Sequence, residues 1–317
     1  MKFLSVCSGV EAASVAWKPL GWEAVGFSEI MKYPSEVLKY RFPNVKNYGD
    51  MNDYQNWEVE PFDLLCGGTP CQSFSITGLR AGLSDPRGNL ALVFAGILDK
   101  WKPRWFLWEN VTGVLSSNGG RDFASLQYAF EELGYSFAWR VFNAENFGSA
   151  ARRPRVFVVG HLGEDWRPAA RVLFESCNSN GDNKTRETLK QGATKGTDRG
   201  IQDGSKPFAL APSWGTWGED IAPCILKTNG MHILDPGYPL RLITEREAER
   251  LQGFPDDWTL LPESSGFTWK AQHRERVASM GNSWAVPVAR WVGERIQMVD
   301  KVSNGVKSYN TICKTRL

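Results

Sequence analysis

The stretch FDLLCGGTPCQSFS, at positions 62–75, carries two of the six cysteines of this 317-residue chain. Cys66 ends an apolar run that is typical of a buried strand, so we expect its thiol to pack in the core, as free cysteines commonly do. Cys71 follows a proline on a glycine-containing loop, and loops at strand ends often carry catalytic groups. Taken alone, Cys71 is equally compatible with a nucleophilic thiolate and with an ordinary turn cysteine.

The other cysteines and the three histidines show no metal-ligand spacing. Because the chain has no C-x-x-C pair and its histidines lie far apart, we expect no bound metal and no disulfide framework. A net charge of +2 is too small to indicate a polyanionic partner by itself. No stretch reaches the roughly 18 consecutive apolar residues of a membrane span, and the N-terminus does not resemble a signal peptide, so we expect a cytoplasmic protein.

Short apolar runs alternate with helical patterns in the first half of the chain, which predicts a parallel sheet covered by helices. Ligands of such sheets bind at the carboxyl ends of the strands. Strands are predicted at 3–6, 24–27, 63–66, 104–108 and 155–160, and helices at 11–17 and 123–133.

Two later segments depart from this pattern. The segment 176–206 has almost no large apolar residues, which favours a disordered surface loop over a loop that orders on a partner. A helical pattern, TEREAERL, then leads into QGFPDDW, and an apolar helix follows the GNS turn at 281–283. The polar tail 301–317 is expected to be weakly ordered.

Several blocks occur in a characteristic order: FDLLCGGTPCQSFS, WENV, ARRPRVFVVG, RLITEREAERLQGFPDDW and GNSWAVPVA. Together they resemble the blocks of the DNA cytosine C5-methyltransferase family, over about residues 1–165 and 240–295. The resemblance implies an α/β fold, with the doubly wound, Rossmann-like sheet of S-adenosylmethionine-dependent methyltransferases and a smaller, mostly irregular or β target recognition domain. The implied catalytic domain comprises residues 1–165 and 275–300, and the implied recognition domain comprises residues 166–274.

The resemblance assigns four catalytic residues. Cys71 would attack C6 of the target cytosine, and Glu109 would hold a proton against ring N3. Arg153 and Arg155 match the arginines of the family block Q-x-R-x-R, which reach the ring O2 and nearby backbone, although Ala151 replaces the leading glutamine. Without the neighbouring blocks, Glu109 would more simply cap a loop or helix start. The less favoured alternative for the arginines is a basic surface cluster at the start of a strand.

The resemblance also implies a site for S-adenosyl-L-methionine, the methyl donor. The loop CSGVEA stands where the family has F-A-G-x-G-G, so Glu11 and Ala12 replace glycines. Glu29 resembles the acid that binds the ribose hydroxyls, and Asp50 resembles the one that accepts from the adenine amino group. The predicted donor-binding residues are Cys7, Ser8, Gly9, Val10, Glu29, Ile30, Asp50, Met51, Pro70, Leu90, Asn282 and Ser283.

DNA recognition is implied in outline only. Gln72, Ser75 and Arg152 are assigned to DNA binding, and the expected partner is double-stranded DNA, with the protein acting as a monomer beside a cognate restriction endonuclease or as a phage-type orphan. Base flipping follows from the reaction, because a ring stacked in a duplex cannot be attacked. Three alternatives stay open: a transfer RNA cytosine methyltransferase, an inactive DNA-binding homologue, and a nucleotide-level methylase of the thymidylate type. For RLITEREAERLQGFPDDW we expect a structural role, in which it organises the recognition domain against the catalytic domain.

Overall fold

The computed structural model describes residues 1–70, 90–174, 208–211, 216–219, 232–234 and 241–314, with backbone alone for 208–234 and beyond residue 302. Cys71, Gln72, Ser75 and the predicted loop 176–206 therefore lie outside the described residues. Within the described part, no helix is both long and apolar enough to cross a membrane.

A six-stranded sheet forms the centre of the fold, in the order β2-β1-β3-β4-β6-β5. Its strands are β1 Lys2–Val6, β2 Glu23–Ser28, β3 Leu64–Gly67, β4 Trp105–Val111, β5 Tyr135–Asn143 and β6 Pro154–Leu162. The first four strands are parallel, as predicted. The five predicted strands and both predicted helices of this region are confirmed, with ends shifted by a few residues.

The last two strands correct the expectation of a uniformly parallel sheet. β6 pairs antiparallel with both β4 and β5, and β5 was not predicted. Only residues 144–153 join β5 to β6, and a parallel return needs a crossover of a dozen or more residues. β5 lies at the sheet edge with Trp139 and Arg140 exposed, so it lacks the continuous apolar run of its neighbours.

Alternate residues of the central strands point to opposite faces and build two cores. Phe3 and Leu64 belong to one apolar cluster, whereas the adjacent Leu4 and Leu65 belong to the other. Cys66 is fully buried in the first cluster, which confirms its predicted packing role.

Helices cover both faces of the sheet. They are α1 Ala12–Trp17, α2 Lys32–Arg41, α3 Leu90–Trp101, α4 Arg121–Glu132, α5 Arg167–Leu173, α6 Glu245–Leu251, α7 Trp269–Asn282 and α8 Val286–Lys314. On one face α1 packs against α8, where the Trp17 indole nitrogen donates to the Ala289 carbonyl at 2.8 Å. On the other face α3 and α4 supply the second core.

A four-stranded antiparallel sheet follows α5 in sequence, in the order β10-β9-β7-β8. Its strands are β7 Phe208–Ala211, β8 Thr216–Glu219, β9 His232–Leu234 and β10 Arg241–Leu242. The division into catalytic and recognition domains stays a prediction, but α5 packs on β5, β6 and α8 and so adds to the sheet's own layers beyond residue 165. α8 continues through residue 301 to Lys314, and the weak order expected for the tail stays a prediction.

Candidate functional site

A cleft that is open to solvent lies at the carboxyl ends of β1 and β3. Three segments line it: the end of β1 with the following loop and the start of α1, the end of β3, and the stretch between α7 and α8. Its lining residues are Ser5, Val6, Cys7, Ser8, Gly9, Glu11, Ala12, Ala13, Gly67, Gly68, Asn282, Ser283 and Trp284. Five of the predicted donor-binding residues therefore meet here, from segments more than 250 positions apart in the chain: Cys7, Ser8, Gly9, Asn282 and Ser283.

Glu29 follows β2 and holds the first loop in place. Its Oε2 accepts from the Gly9 amide at 2.8 Å and its Oε1 accepts from the Met31 amide at 2.7 Å. A carboxylate oxygen has a second lone pair, so each can also accept from a ligand hydroxyl. The Glu29 side chain thus contacts the loop that lines the cleft.

The remaining predicted donor residues lie around this centre. Met51 is buried with its Sδ 3.5 Å from the Cys7 Sγ, and Asp50 is exposed at the start of the next 3-10 helix. Burial, followed by the charges of Glu29 and Asp50, raises the pKa of the Cys7 thiol to about 12, so this thiol is neutral. Three further residues do not line the cleft: Val10 is buried in the core, Pro70 is exposed and Leu90 is partly buried at the start of α3.

Ile30 is 69 % exposed directly after Glu29. An aliphatic side chain at this position has apolar surface available to a ligand ring, but it cannot provide aromatic stacking.

Glu109 lies near the end of β4, with 8 % of its surface exposed. Arg155 of β6 places its Nε 3.1 Å from Glu109 Oε1, and the Trp284 indole donates a hydrogen bond to the same carboxyl group. Burial raises the pKa of Glu109, while Arg155, Arg153 and Trp284 oppose that rise. The carboxyl group therefore keeps a proton more readily than an exposed glutamate does.

Arg153 stands just before β6 and is almost fully buried. Its Nη2 donates to the carbonyls of Gly281 and Ser283, at 2.9 and 2.8 Å. These bonds hold the backbone of the segment that lines the cleft. The ring-O2 contact implied for Arg153 stays a prediction, whereas its backbone contacts make it a support of the cleft.

Two neighbours of Glu109 on β4 hold the loop that leads toward Cys71. The Trp108 indole nitrogen donates to Thr69 Oγ1 at 3.0 Å, and Asn110 Nδ2 donates to the Thr69 carbonyl at 2.9 Å. Neither Trp108 nor Asn110 was predicted to have a role, although both belong to the WENV block. The backbone at Gly68 lies so close to Glu109 that a side chain would not fit, because a Cβ at this position would lie 2.7 Å from Glu109 Oε2.

The segment after α6 supports the first loop. The Trp258 indole nitrogen donates to the Val10 carbonyl at 2.8 Å, and the Val286 amide donates to the Gln252 carbonyl at 2.8 Å. A buried ion pair anchors the segment, since Arg276 of α7 lies 3.0 Å from Glu249 of α6. Trp258 was missed as a support of the donor loop, because sequence spacing gives no sign of a contact across 248 positions.

The surface next to this site carries Arg152, whose side chain is 64 % exposed and lies 3.4 Å from Glu145. Its predicted phosphate contact stays a prediction. Within the described ranges, no three histidine, cysteine, aspartate or glutamate side chains are grouped so as to hold a metal ion.

A known protein family matches most of the chain. The profile of the C-5 cytosine-specific DNA methylase family matches residues 1–203 and 169–298. The chain belongs to this family. The predicted family and its methyltransferase fold are thereby confirmed.

Relatives of this chain include methyltransferases of phages and of bacteria. The chain is 29 % identical to a DNA N-6-adenine-methyltransferase of Escherichia phage P1, over 92 % of this chain and 60 % of that protein. It is also 29 % identical to the Type II methyltransferase M2.BsuMI of Bacillus subtilis, over 93 % of this chain and 75 % of that protein. The chain thus spans about three fifths of the phage relative.

A solved structure shares the fold. The Dnmt2 methyltransferase of S. pombe superposes with a TM-score of 0.62 at 16 % identity, over 94 % of this chain and 99 % of that one.

Proposed function

We propose that this chain is a DNA cytosine C5-methyltransferase, which transfers a methyl group from S-adenosyl-L-methionine to C5 of a flipped-out cytosine in a specific duplex sequence. The observation that carries the proposal is the buried Glu109, held between Arg155 and Trp284 beside the loop that leads toward Cys71. A proton-holding carboxyl group next to a cation is what attack on a neutral cytosine ring requires, because negative charge develops on the ring.

The chain's residues would divide the chemistry as follows. The Cys71 thiolate forms a bond to C6, and the Glu109 carboxyl group donates a hydrogen bond or proton to N3, so that electron density moves to C5. Arg155 fixes the Glu109 carboxyl group and offers positive charge to the ring oxygen. Bound S-adenosyl-L-methionine supplies the electrophilic methyl group. After methylation C5 loses its proton to a base, the C6–sulfur bond breaks, and Cys71 leaves as the thiolate.

The cleft beside Glu109 fits that donor. Glu29 retains acceptor capacity next to the Gly9 amide, as ribose hydroxyls need, and Asp50 offers an exposed carboxylate farther along the same edge. Asn282 and Ser283 also line the cleft, and Arg153 donates a hydrogen bond to the Ser283 carbonyl. Gly68 belongs to the same cleft lining and adjoins Glu109, so the proposed donor site and the proposed base site are neighbours.

The biological setting follows from the relatives. The Type II relative supports a role in modifying DNA alongside a cognate restriction endonuclease, and the phage relative supports an orphan enzyme. The proposed partner is duplex DNA, met by a monomer in the cytoplasm, where such DNA is accessible. Gln72, Ser75 and Arg152 are the proposed DNA contacts.

The phage relative's printed name gives a specific reason to test a second product, N6-methyladenine. Transfer RNA is the other alternative substrate, because the resemblance extends to a branch that methylates it.

One experiment separates these outcomes. The purified protein is incubated with tritiated S-adenosyl-L-methionine and either duplex DNA or transfer RNA, and the digested nucleosides are identified by mass spectrometry. We expect 5-methylcytosine in DNA only. N6-methyladenine in the DNA, or label confined to RNA, would refute the proposed substrate.

The adduct is tested with the Cys71→Ser variant and the matched Cys66→Ala variant. Cys71→Ser should bind the donor but transfer no methyl groups, while Cys66→Ala should retain turnover, because Cys66 lies in the core. Full turnover by Cys71→Ser would exclude the proposed nucleophile. Bisulfite sequencing of DNA from expressing cells would then reveal the methylated site.

A further inference from the structure

Glu11 is a charged residue type in a place where charge is costly. It lines the cleft but is only 1 % exposed, and it caps the start of α1. Its Oε1 accepts from the Ser14 amide at 3.0 Å and from the Ser14 hydroxyl at 3.1 Å. Its second oxygen, Oε2, is buried and has no hydrogen bond within the described residues.

Capping alone does not account for a glutamate here. The residue has a φ of 66°, a left-handed conformation that glycine adopts freely and an L-residue adopts at a cost. Serine, aspartate or glycine would cap the helix without burying a longer carboxyl group. The chain therefore tolerates both backbone strain and desolvation to place a carboxyl group in this wall.

The surroundings of Glu11 leave its charge uncompensated. The hydroxyls of Ser5 and Ser14 and the Ser14 amide lower its pKa by hydrogen bonding, but these groups are neutral, and no cation among the described residues contributes to its titration. Burial raises its pKa to about 7. The nearby Cys66 thiol has its own pKa raised, first by burial and then by Glu11, and is neutral. On α8, Arg290 is directed at the Ala16 carbonyl instead.

We propose that Glu11 is a donor-specificity residue, whose carboxylate pairs with the cationic methionine end of S-adenosyl-L-methionine. This rests on the proposed function, since that donor carries a sulfonium and an ammonium group. The reactive methyl must lie next to the base, which places the cationic end near Gly68 and Glu109 and within the cleft that Glu11 lines. A cation there would supply the partner that Oε2 lacks.

Calorimetric titration of Glu11→Gln tests the proposal. Glutamine has nearly the same shape and keeps an oxygen to cap Ser14, so thermal unfolding of the free variant should match or exceed that of the wild type at pH 7.5. Each protein is titrated with S-adenosyl-L-methionine, with S-adenosylhomocysteine, which lacks the sulfonium charge, and with methylthioadenosine, which lacks the amino-acid part.

We expect the variant to bind S-adenosyl-L-methionine at least about tenfold more weakly, with methylthioadenosine unchanged, because a hydrogen bond to a charged group contributes that much. Weaker binding of S-adenosylhomocysteine as well would identify the ammonium as the paired group, and unchanged binding would identify the sulfonium. Equal donor affinity of variant and wild type would overturn the proposal.

The pH dependence gives a second readout. Between pH 5.5 and 7 the wild-type affinity should rise by up to about tenfold per pH unit as Glu11 ionises, with the steeper part at the lower pH, while that of Glu11→Gln should stay flat. The donor's own amino group titrates higher, at about 7.7–8.0, and so does not contribute in this window. Parallel profiles would contradict the assignment. If the wild type binds no S-adenosyl-L-methionine at all, the proposed function itself fails instead.

Discussion

Replacement of Arg153 by alanine should separate support of the cleft from chemistry on the base. The wild-type guanidinium makes two short bonds to the backbone carbonyls of Gly281 and Ser283 and is itself almost fully buried. Bonds from a charged donor contribute about 1.5–3 kcal/mol each, and removal of the donor leaves both carbonyls unsatisfied. The free energy of unfolding should therefore fall by at least about 3 kcal/mol.

Donor binding should weaken in the same variant, because the released segment includes Asn282 and Ser283 of the cleft wall. Urea unfolding monitored by circular dichroism gives the stability, and titration with S-adenosyl-L-methionine gives the affinity. Arg152→Ala is the matched control, because Arg152 is next to Arg153 in sequence but its side chain is exposed and forms a surface ion pair with Glu145. Such pairs contribute at most about 1 kcal/mol.

A result in which Arg153→Ala is as stable as Arg152→Ala and binds the donor as tightly as the wild type would refute this reasoning. It would mean that the segment keeps its conformation without the guanidinium. Arg153 would then act on the substrate, as the family resemblance implies.

Three further predictions concern the base side of the site. Glu109→Gln should lower kcat by about 10²–10⁴ and keep the donor affinity. Because burial raises the pKa of Glu109 in the folded wild type, the wild type should lose stability relative to the variant as pH rises from about 4.3, the unfolded pKa, through the folded pKa. Free energies of urea unfolding that change equally with pH in the two proteins would contradict this. Gly68→Ala should lower kcat about 100-fold, because the added Cβ would lie 2.7 Å from Glu109 Oε2 and displace it. Gly113→Ala is the control: its added Cβ would lie 4.0 Å from the nearest atom, so the rate of tritium incorporation should not change. Asn110→Ala should lose about 1 kcal/mol of stability with its bond to Thr69 and lower kcat at an unchanged donor Kd; a changed Kd with normal kcat would show that the loop serves the donor instead.

The central parallel strands could be predicted from sequence because each is a short, nearly continuous apolar run buried on both faces. The burial of Cys66 could be predicted for the same reason, because it ends one of these apolar runs. β5 was missed because one face of an edge strand meets solvent, and residues such as Arg140 interrupt its apolar pattern. The direction of β6 was missed for a related reason, since direction depends on the connection from a strand that had not been identified.

The proposed site divides in a similar way. Glu109 and Arg155 were singled out by their sequence blocks, but their contact depends on strand register: Arg155 pairs with Val111, so its side chain reaches Glu109 on the diagonal. The partners of Arg153 lie 128 and 130 positions away. Contacts of that kind arise from the packing of α7 and α8 against the sheet, and local spacing carries no information about them.

Trp284 connects the two halves of the site. Its indole donates to Glu109 on the base side, and its side chain also lines the cleft that we propose for the donor. The backbone on its N-terminal side is held by Arg153, which also contributes charge near Glu109. Movement of residues 281–284 would therefore change the Glu109 hydrogen bond and the cleft wall together. A donor that orders this segment would thereby also orient the carboxyl group that we propose to act on the base. This gives a physical reason for one short segment to border both proposed sites.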